Sequence, residues 1–401
     1  MIRRIIPLFL GCLAVFVAGC RRADVHLRPT IPYVSTILAG GNDEASRIVR
    51  GFGAPAASGA IYLVGEPAEC SELGKALLEC DAFDNVDGRL TSDGLADFAG
   101  ETVVCVADYA NTPYRGFVDA GNETFLRETA VRNVLAVMDT LCYVSPYDRS
   151  GMGSKRAPKL VVLTSSYMAS HGLFDVDTLL RSLSCPLPVI SPLSAMMEDA
   201  LAYSDPSMVG VLARGDGIDS GIYSATLAQK AREAGKRVPE CVVFAPEPGA
   251  DPLLSFLDKY LAAGYDKPLD ALIVDDLDVD MVALVQSLGS IASVMNEGFM
   301  TYGKALGAKF RMPDPRAVVI QRCYRMLRER NLFTHAIAQP RMETLMIRPR
   351  PDLPGSPYGA DGYFTDQVKY GRASDVEVNT TMLLQYSSLY LPQTSTQDVQ
   401  N

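Results

Sequence analysis

Short apolar runs alternate with longer stretches of helical periodicity from Ala60 onward. The apolar runs lie at 61–64, 102–107, 160–163, 209–213, 241–244 and 271–274. Segments between them carry apolar residues at i, i+3 and i+4 spacing, as at 123–140, 220–234, 251–263 and 279–288. When helices cross between successive strands, the strands pair in parallel. The alternation therefore predicts an α/β fold of doubly wound parallel sheets.

The first twenty residues have the features of an export signal. Arg3 and Arg4 precede an apolar run, 5–16, that is too short to span a bilayer. The run ends in Val17-Ala18-Gly19-Cys20, which resembles the bacterial lipobox, in which the cysteine is lipidated and becomes the new N-terminus. We expect residues 1–20 to be a lipoprotein signal peptide. Cys20 is then the lipidation site and attaches the chain to the membrane of the bacterial cell envelope. An ordinary secretory signal is the alternative.

Charge and cysteine spacing exclude several classes of partner. The net charge is -10 and the chain has no basic tract, so we expect no nucleic-acid partner. Beyond Cys12 and Cys20 no CxxC pair or other metal-ligand spacing occurs. We therefore expect neither a metal site nor a cofactor.

Composition marks both ends of the body. Residues 21–59 are rich in Gly, Ala and Pro, which predicts a tether or loosely packed extension. From about residue 351 periodicity fades and Pro, Gly, Tyr, Ser and Thr prevail, which predicts an irregular tail over 351–401.

Seven ordered segments carry a resemblance to a known family. They are FDNVDG (83–88), DYANTPYRG (108–116), LVVLTSS (160–166), CPLPVI (185–190), VGVLA (209–213), IDSGIY (218–223) and DALIVDDLD (270–278). In order and spacing they resemble motifs of the cofactor-independent glutamate racemases and, more broadly, the aspartate/glutamate racemase superfamily. The resemblance covers roughly residues 80–345. It implies two α/β lobes facing an interdomain cleft, the first from 60–190 plus 285–350 and the second from 191–284.

The catalytic residues of that family are not matched. Its members use two facing cysteines, one removing the α-proton and the other delivering a proton, which suits the pKa of a thiol. The first cysteine position falls on Thr164 and the second on Asp276. The resemblance therefore implies a racemase-like protein without the two-thiol reaction. Asp84, Thr164 and Asp276 remain candidate catalytic residues if carboxylates replace the thiols.

The resemblance also places a ligand site at the strand ends. The positions that match the family's substrate contacts are Asp84, Asn85, Tyr114, Thr164, Ser165, Ser166 and Asp276. Hydroxyl and amide groups dominate this set, which favours a small polar ligand that is neutral or cationic. Arg115 and Arg214 are the residues able to restore affinity for a dicarboxylate.

Three functions stay open on this sequence. The chain is a racemase relative without activity that binds a small molecule or a protein partner, or it is an isomerase that uses Asp84 and Asp276 as acid and base. Alternatively, it is a type I periplasmic solute-binding lipoprotein, which also has two α/β lobes around a cleft.

Overall fold

The computed structural model describes residues 29–148, 150–203, 205–214, 220–292, 297–353, 358–359, 361–376 and 378–392. Cys20 and the predicted signal peptide lie outside these residues. None of the described helices is long and apolar enough to cross a membrane.

Twelve strands occur in the described part of the chain. They are β1 (Ala60–Gly65), β2 (Thr102–Asp108), β3 (Leu141–Tyr143), β4 (Met152–Ser154), β5 (Pro158–Leu163), β6 (Val189–Ile190), β7 (Met208–Ala213), β8 (Glu240–Phe244), β9 (Leu269–Asp275), β10 (Leu306–Arg311), β11 (Arg341–Pro349) and β12 (Thr381–Gln385).

The helices in the described part of the chain connect these strands and cover the sheets. They are α1 (Pro32–Leu38), α2 (Asp43–Gly51), α3 (Pro67–Glu79), α4 (Arg115–Asp119), α5 (Glu123–Met138), α6 (Ser166–Ser182), α7 (Pro192–Tyr203), α8 (Ser220–Glu233), α9 (Pro252–Ala262), α10 (Met281–Ala292), α11 (Glu297–Tyr302), α12 (Pro315–Glu329) and α13 (Asp366–Gly371).

The strands form two sheets. The first has the order β4-β3-β12-β11-β2-β1-β5-β6 and the second has the order β10-β9-β7-β8. All four neighbouring pairs from β11 to β6 are parallel, and so are all three pairs of the second sheet. Between the named strands, antiparallel pairing occurs for β11 with β12 and for β3 with β4. The predicted α/β class with parallel sheets in two lobes is confirmed.

The central strands are buried along their whole length. Every residue of β1, β2, β5 and β7 is buried. Strands that are covered by helices on both faces need continuous apolar runs in place of alternation. Each of the six apolar runs of the sequence accordingly lies within a strand of the structure.

Helix starts follow from local capping chemistry. The Asp251 side chain accepts a hydrogen bond of 2.9 Å from the backbone amide of Leu254, and Pro252 occupies the first turn of α9. Asp314 and Pro315 begin α12 in the same way. An acidic N-cap satisfies a free amide, and proline at the first position loses no hydrogen bond.

The predicted tether over 21–59 is wrong for the part that the structure describes. Helices α1 and α2 fill 32–51, and Tyr33, Val34 and Ile37 are buried. The backbone amide of Ile31 donates to Asp175 on α6 at 3.2 Å. Apolar side chains on one helix face pack against α5 and α6, and this burial outweighs the glycine and proline content.

The predicted irregular tail is also wrong in part. Strand β12 pairs antiparallel with β11 and parallel with β3, inside the first sheet. Its residues Met382, Leu383 and Leu384 are buried. The pattern Thr-Met-Leu-Leu-Gln is too short to distinguish a strand from an apolar turn, so its partner decides its structure.

The return from the second lobe to the first occurs later than residue 285. Strand β10, at 306–311, pairs with β9 and belongs to the second sheet. The chain rejoins the first sheet only at β11, after α12. The predicted boundary between 284 and 285 falls inside α10, which packs with α9 in the second lobe.

One apolar core joins the two sheets. It contains Val64 and Val106 from the first sheet together with Val211 and Ile273 from the second. A smaller core lies on the other face of the second sheet, around Phe256 and Leu272. The two lobes are therefore packed together through side chains of both sheets.

Candidate functional site

The carboxyl ends of strands from both sheets meet at one place. The Ser166 hydroxyl, just after β5, donates to the Asp275 carboxylate at the end of β9, at 2.8 Å. Arg214, just after β7, contacts Glu69 in the first turn of α3, which follows β1. We call this place the carboxyl-edge junction and define it by Glu69, Asp108, Thr164, Arg214 and Asp275. Open α/β sheets bind their ligands at such an edge.

Asp108 ends β2 and is fully enclosed by donors. Its carboxylate accepts from the Asn111 amide group at 2.8 and 2.9 Å, from Asn133 at 2.8 Å and from the Tyr114 hydroxyl at 2.9 Å. Burial raises the pKa of Asp108, and these hydrogen bonds oppose the shift. Arg372, from the C-terminal segment, also donates to the Asn111 side chain. The network holds the β2 end and the following loop in one arrangement.

Asp275 ends β9 in a similar buried setting. The Tyr223 hydroxyl donates to it at 2.7 Å, in addition to the Ser166 hydroxyl. Burial raises the pKa of this carboxyl group, and the two hydroxyls lower it in part. Since Tyr223 lies on α8 and Ser166 on α6, Asp275 connects a helix of each lobe.

Two glutamates follow β1. Glu66 accepts a hydrogen bond from the backbone amide of Tyr114 at 3.0 Å. Glu69 lies one turn later, and its side chain is only 1% exposed. Burial raises the pKa of Glu69 to about 8, although Arg214 attracts the ionised form. Glu69 Oε2 has no hydrogen-bond partner among the described residues.

Arg214 links three carboxylates across the two lobes. Besides Glu69 it lies 3.2 Å from Asp278 and 3.9 Å from Asp276. Burial by itself lowers the pKa of Arg214, but these carboxylates raise it above its ordinary value. The guanidinium is therefore charged at any physiological pH. Of the two arginines that the sequence analysis named, Arg214 lies at the junction, whereas Arg115 pairs with Asp119 on the surface of α4.

Thr164 and Ser165 lie at the end of β5. The Thr164 hydroxyl is 3.5 Å from the sulfur of Cys70 and 3.4 Å from the carbonyl oxygen of Val64. Ser165 is fully buried, and its hydroxyl has no hydrogen-bond partner in the described part of the chain. A buried hydroxyl without a partner is rare and marks a position where a ligand group can bind.

The thiol of Cys70 contacts the Thr164 hydroxyl. It lies on α3, next to Glu69, and is completely buried. Burial, with the neighbouring Cys105, raises the pKa of Cys70 well above its ordinary value. It is therefore held as the neutral thiol, whereas nucleophilic and proton-abstracting cysteines act as thiolates.

Asp276 is partly exposed and less constrained than Asp275. Its carboxylate accepts from the Asp278 backbone amide at 2.9 Å. Burial raises the pKa of Asp276, and Arg214 opposes that shift.

Five of the predicted site residues lie at the carboxyl ends of strands, around the junction. They are Tyr114, Thr164, Ser165, Ser166 and Asp276.

Asp84 and Asn85 do not lie there, and their assignment is corrected. They follow α3 and precede β2, so they lie at the amino edge of the first sheet. The Asp84 carboxylate accepts from the amides of Val86 and Asp87 at 2.8 and 3.0 Å, which lowers its pKa and stabilises a tight turn. Asn85 donates to Ala96 and lines a separate cavity of about 910 Å³. The segment FDNVDG (83–88) forms a turn here. Asp and Gly are common in turns of unrelated proteins, so its similarity to the family motif does not indicate a site.

Sequence reasoning missed Glu66, Glu69, Asp108 and Tyr223 as site residues. Glu66 directly follows the apolar run 61–64 and Gly65, and Asp108 directly follows the run 102–107. The rule that ligands bind beyond the carboxyl ends of strands was sufficient to select these two residues. The motif alignment placed the first site residues one helix too late.

Comparison with known proteins shows which solved structures have a similar fold. No protein-family model matches the chain, and no curated protein matches it. A glutamate racemase isoform from Bacillus anthracis is 10% identical, with 71% of this chain and 87% of that chain covered and a TM-score of 0.42. A glutamate racemase from Francisella tularensis, solved with D-glutamate, is 14% identical, with 83% and 98% covered and a TM-score of 0.43.

An aspartate racemase homologue from Pyrococcus horikoshii is 12% identical, with 67% of this chain and 99% of that chain covered and a TM-score of 0.32. All three TM-scores are below 0.5. These proteins therefore resemble the chain in outline, and nothing about its activity follows from them.

Proposed function

We propose that this chain is a cell-envelope lipoprotein, related in fold to the aspartate/glutamate racemases, that binds a small neutral or cationic molecule at the carboxyl-edge junction. The observation that carries the proposal is the convergence of polar side chains from the ends of five strands, β1, β2, β5, β7 and β9. The unpartnered hydroxyl of Ser165 and the unpartnered oxygen of Glu69 support a ligand there.

Under this proposal, the protein does not racemise amino acids by the two-thiol reaction. Thr164 and Asp276 occupy the positions that match the two cysteines of the family. A threonine hydroxyl has no comparable acidity, and Cys70 is a buried, neutral thiol. Neither proton transfer of that reaction has a suitable group among these three residues.

Binding is tested by calorimetry on the full chain in mild detergent, with D- and L-amino acids that include neutral and basic side chains. We expect Ser165→Ala to weaken binding by up to roughly tenfold, because one buried hydrogen bond contributes about 0.5–1.5 kcal/mol. The matched control is Ser388→Ala, since Ser388 is exposed. A bound amino acid whose affinity is unchanged by Ser165→Ala contradicts the proposed site.

One observation favours the carboxylate isomerase as a second candidate. A group with a pKa of about 8, such as Glu69, exchanges protons readily near neutral pH. The test is exchange of the α-proton of glutamate and aspartate for solvent deuterium. We expect no exchange above the buffer rate. Exchange that Asp276→Asn or Glu69→Gln abolishes would establish the second candidate in place of the first.

Lipidation is tested by mass spectrometry of the chain expressed in a bacterium. We expect a mature N-terminus at Cys20 that carries acyl chains, and loss of this processing in Cys20→Ser. Cys12→Ser is the control, because Cys12 lies inside the signal segment and is removed with it. Normal acylation of the Cys20→Ser variant would rule out this anchor.

A further inference from the structure

In the described part of the chain around the carboxyl-edge junction, carboxylates outnumber cations. Glu66, Glu69, Asp276 and Asp278 surround a single guanidinium, that of Arg214. We call these five residues the acidic clasp. When all of them are ionised, the clasp carries four negative charges and one positive charge. A ligand that adds another carboxylate meets repulsion there, and one that adds a cation is attracted.

The position of Arg214 reinforces this charge balance. Its guanidinium is already engaged by Glu69 and Asp278, so it is not free to form a bidentate pair with a ligand carboxylate. Recruiting it for an anionic ligand would break its existing contacts with Glu69 and Asp278. The arginine therefore balances part of the acidic clasp and does not serve as an anion receptor.

The second, independent observation is the incomplete hydrogen bonding of Glu69. The side chain is 1% exposed, and Oε1 contacts Arg214 while Oε2 has no hydrogen-bond partner among the described residues. A buried carboxyl oxygen needs a hydrogen-bond partner, and once Glu69 is ionised that partner must be a donor. Ser165, which also has an unpartnered buried oxygen, follows Thr164, and Thr164 contacts Cys70, the neighbour of Glu69. The contact between Thr164 and Cys70 thus connects the part of α3 that carries Glu69 to the β5 end that carries Ser165.

We propose that the junction binds a small molecule with a protonated primary amine, whose ammonium group is held by Glu69 and Glu66 while a polar group of the ligand bonds to Ser165. An ammonium provides three donors and one positive charge, which matches the missing donor and the excess of carboxylates. The inference rests on the proposed function and narrows its ligand class to cations.

Protonation of Glu69 supplies a second readout. With a pKa of about 8, Glu69 holds its proton at pH 7 when the site is empty. The charged groups that face it are Arg214, Glu66 and Asp278. An ammonium beside it favours the carboxylate, so binding at pH 7 releases a proton. Affinity for the amine is therefore expected to increase as pH rises from about 7 to 9.

The experiment compares three five-carbon probes that differ in charge: cadaverine (1,5-diaminopentane), 1,5-pentanediol and glutarate. Calorimetry on the full chain is expected to show cadaverine binding at least tenfold more tightly than the diol and no binding of glutarate. In buffers of different ionisation enthalpy, the cadaverine signal should report proton release.

Variants give the direction of each charge effect. Glu69→Gln is expected to weaken cadaverine binding at least tenfold, and Glu66→Gln to weaken it too. Glu72→Gln on the same helix is the control, because Glu72 is exposed and pairs with Lys75. Arg214→Gln is expected to tighten cadaverine binding, whereas the same change would abolish binding of an anionic ligand that depends on Arg214. Circular dichroism checks that each variant folds.

The outcomes separate this inference from the proposed function. Glutarate or pentanediol binding in place of cadaverine, with sensitivity to Ser165→Ala, overturns the cationic ligand and leaves the site in place. Cadaverine binding that is unaffected by both glutamate variants also overturns the inference, since it locates the amine elsewhere. Failure of all three probes and of the amino acids to bind contradicts both.

Discussion

At the residue scale, the two buried aspartates at the ends of β2 and β9 depend on their donors. Asp108 accepts from Asn111, Asn133 and Tyr114, whereas the side chains that donate to Asp275 among the described residues are those of Tyr223 and Ser166. A buried carboxylate that loses one of few donors bears the full desolvation cost. Asp275 is therefore the more sensitive of the two aspartates.

We expect Tyr223→Phe to lower the free energy of unfolding by about 1.5–3 kcal/mol, the range for a hydrogen bond to a charged group. Tyr302→Phe is the matched control, because Tyr302 also donates to an aspartate at 2.7 Å but at an exposed position. Its effect should stay below about 1 kcal/mol. Urea unfolding at pH 7 measures both, and equal effects would contradict the role of burial.

Glu69 predicts a dependence of stability on pH. In the unfolded chain its pKa is near the ordinary 4.5, and in the folded protein it is about 8. Between these values the unfolded state releases the proton and the folded state keeps it, so stability falls as pH rises, by up to about 1.4 kcal/mol per pH unit. Below the lower value this contribution is fully present.

Glu69→Gln removes this titration. We expect the difference in free energy of unfolding, variant minus original, to increase between pH 5 and pH 8, measured by urea unfolding at several pH values. Glu72→Gln should show no such increase. Parallel pH profiles for the original protein and Glu69→Gln would mean that Arg214 keeps Glu69 ionised.

At the element scale, the contact between α5 and α6 depends on one glycine. A Cβ added at Gly172 on α6 would lie 2.3 Å from the Cβ of Ala130 on α5. Helix backbones that approach this closely tolerate only the smallest side chain at the contact. By contrast, a Cβ added at Gly289 on α10 meets nothing within 4 Å.

The two glycines therefore respond in opposite directions to alanine. Gly172→Ala should destabilise the protein by about 1–3 kcal/mol, because overpacking exceeds the gain in helix propensity. Gly289→Ala should stabilise it by up to about 1 kcal/mol. Thermal and urea unfolding measure both, and stabilisation by Gly172→Ala would show that the helices separate without cost.

At the scale of the whole molecule, the C-terminal segment is part of the first sheet. Leu384 of β12 is fully buried between β11 and β3, whereas Leu389 is 86% exposed. Arg372 of the same segment donates to Asn111 beside the β2 end. The segment from Arg372 to β12 thus supports both the sheet and the Asp108 network.

We expect Leu384→Ala to lower the free energy of unfolding by about 2–5 kcal/mol, and Leu389→Ala to change it by less than about 0.5 kcal/mol. Because one core contains side chains of both sheets, the loss should appear in a single transition. Hydrogen exchange of peptides from β2 and β7 measures this. Loss of protection in β2 alone would show that the lobes unfold separately.

The sequence by itself was sufficient for the fold class. Local periodicity and continuous apolar runs are properties of neighbouring residues. The strands β1, β2, β5, β7, β8 and β9 and the helices α5, α8, α9 and α10 were therefore predicted without knowledge of their partners. Thr164, Ser165, Ser166 and Asp276 were selected by the resemblance to the racemase family, whose substrate-contact positions they match shortly after two of these runs.

Tertiary structure alone decided the rest, because it depends on contacts between residues that are far apart in the chain. Glu69 and Arg214 are 145 positions apart, and their contact exists only because the ends of β1 and β7 meet. Asp84 resembles a site residue in its motif, but its place after α3 puts it at the opposite edge of the sheet. Likewise β12 becomes a strand through its partners β11 and β3, since five residues carry too little pattern to specify one.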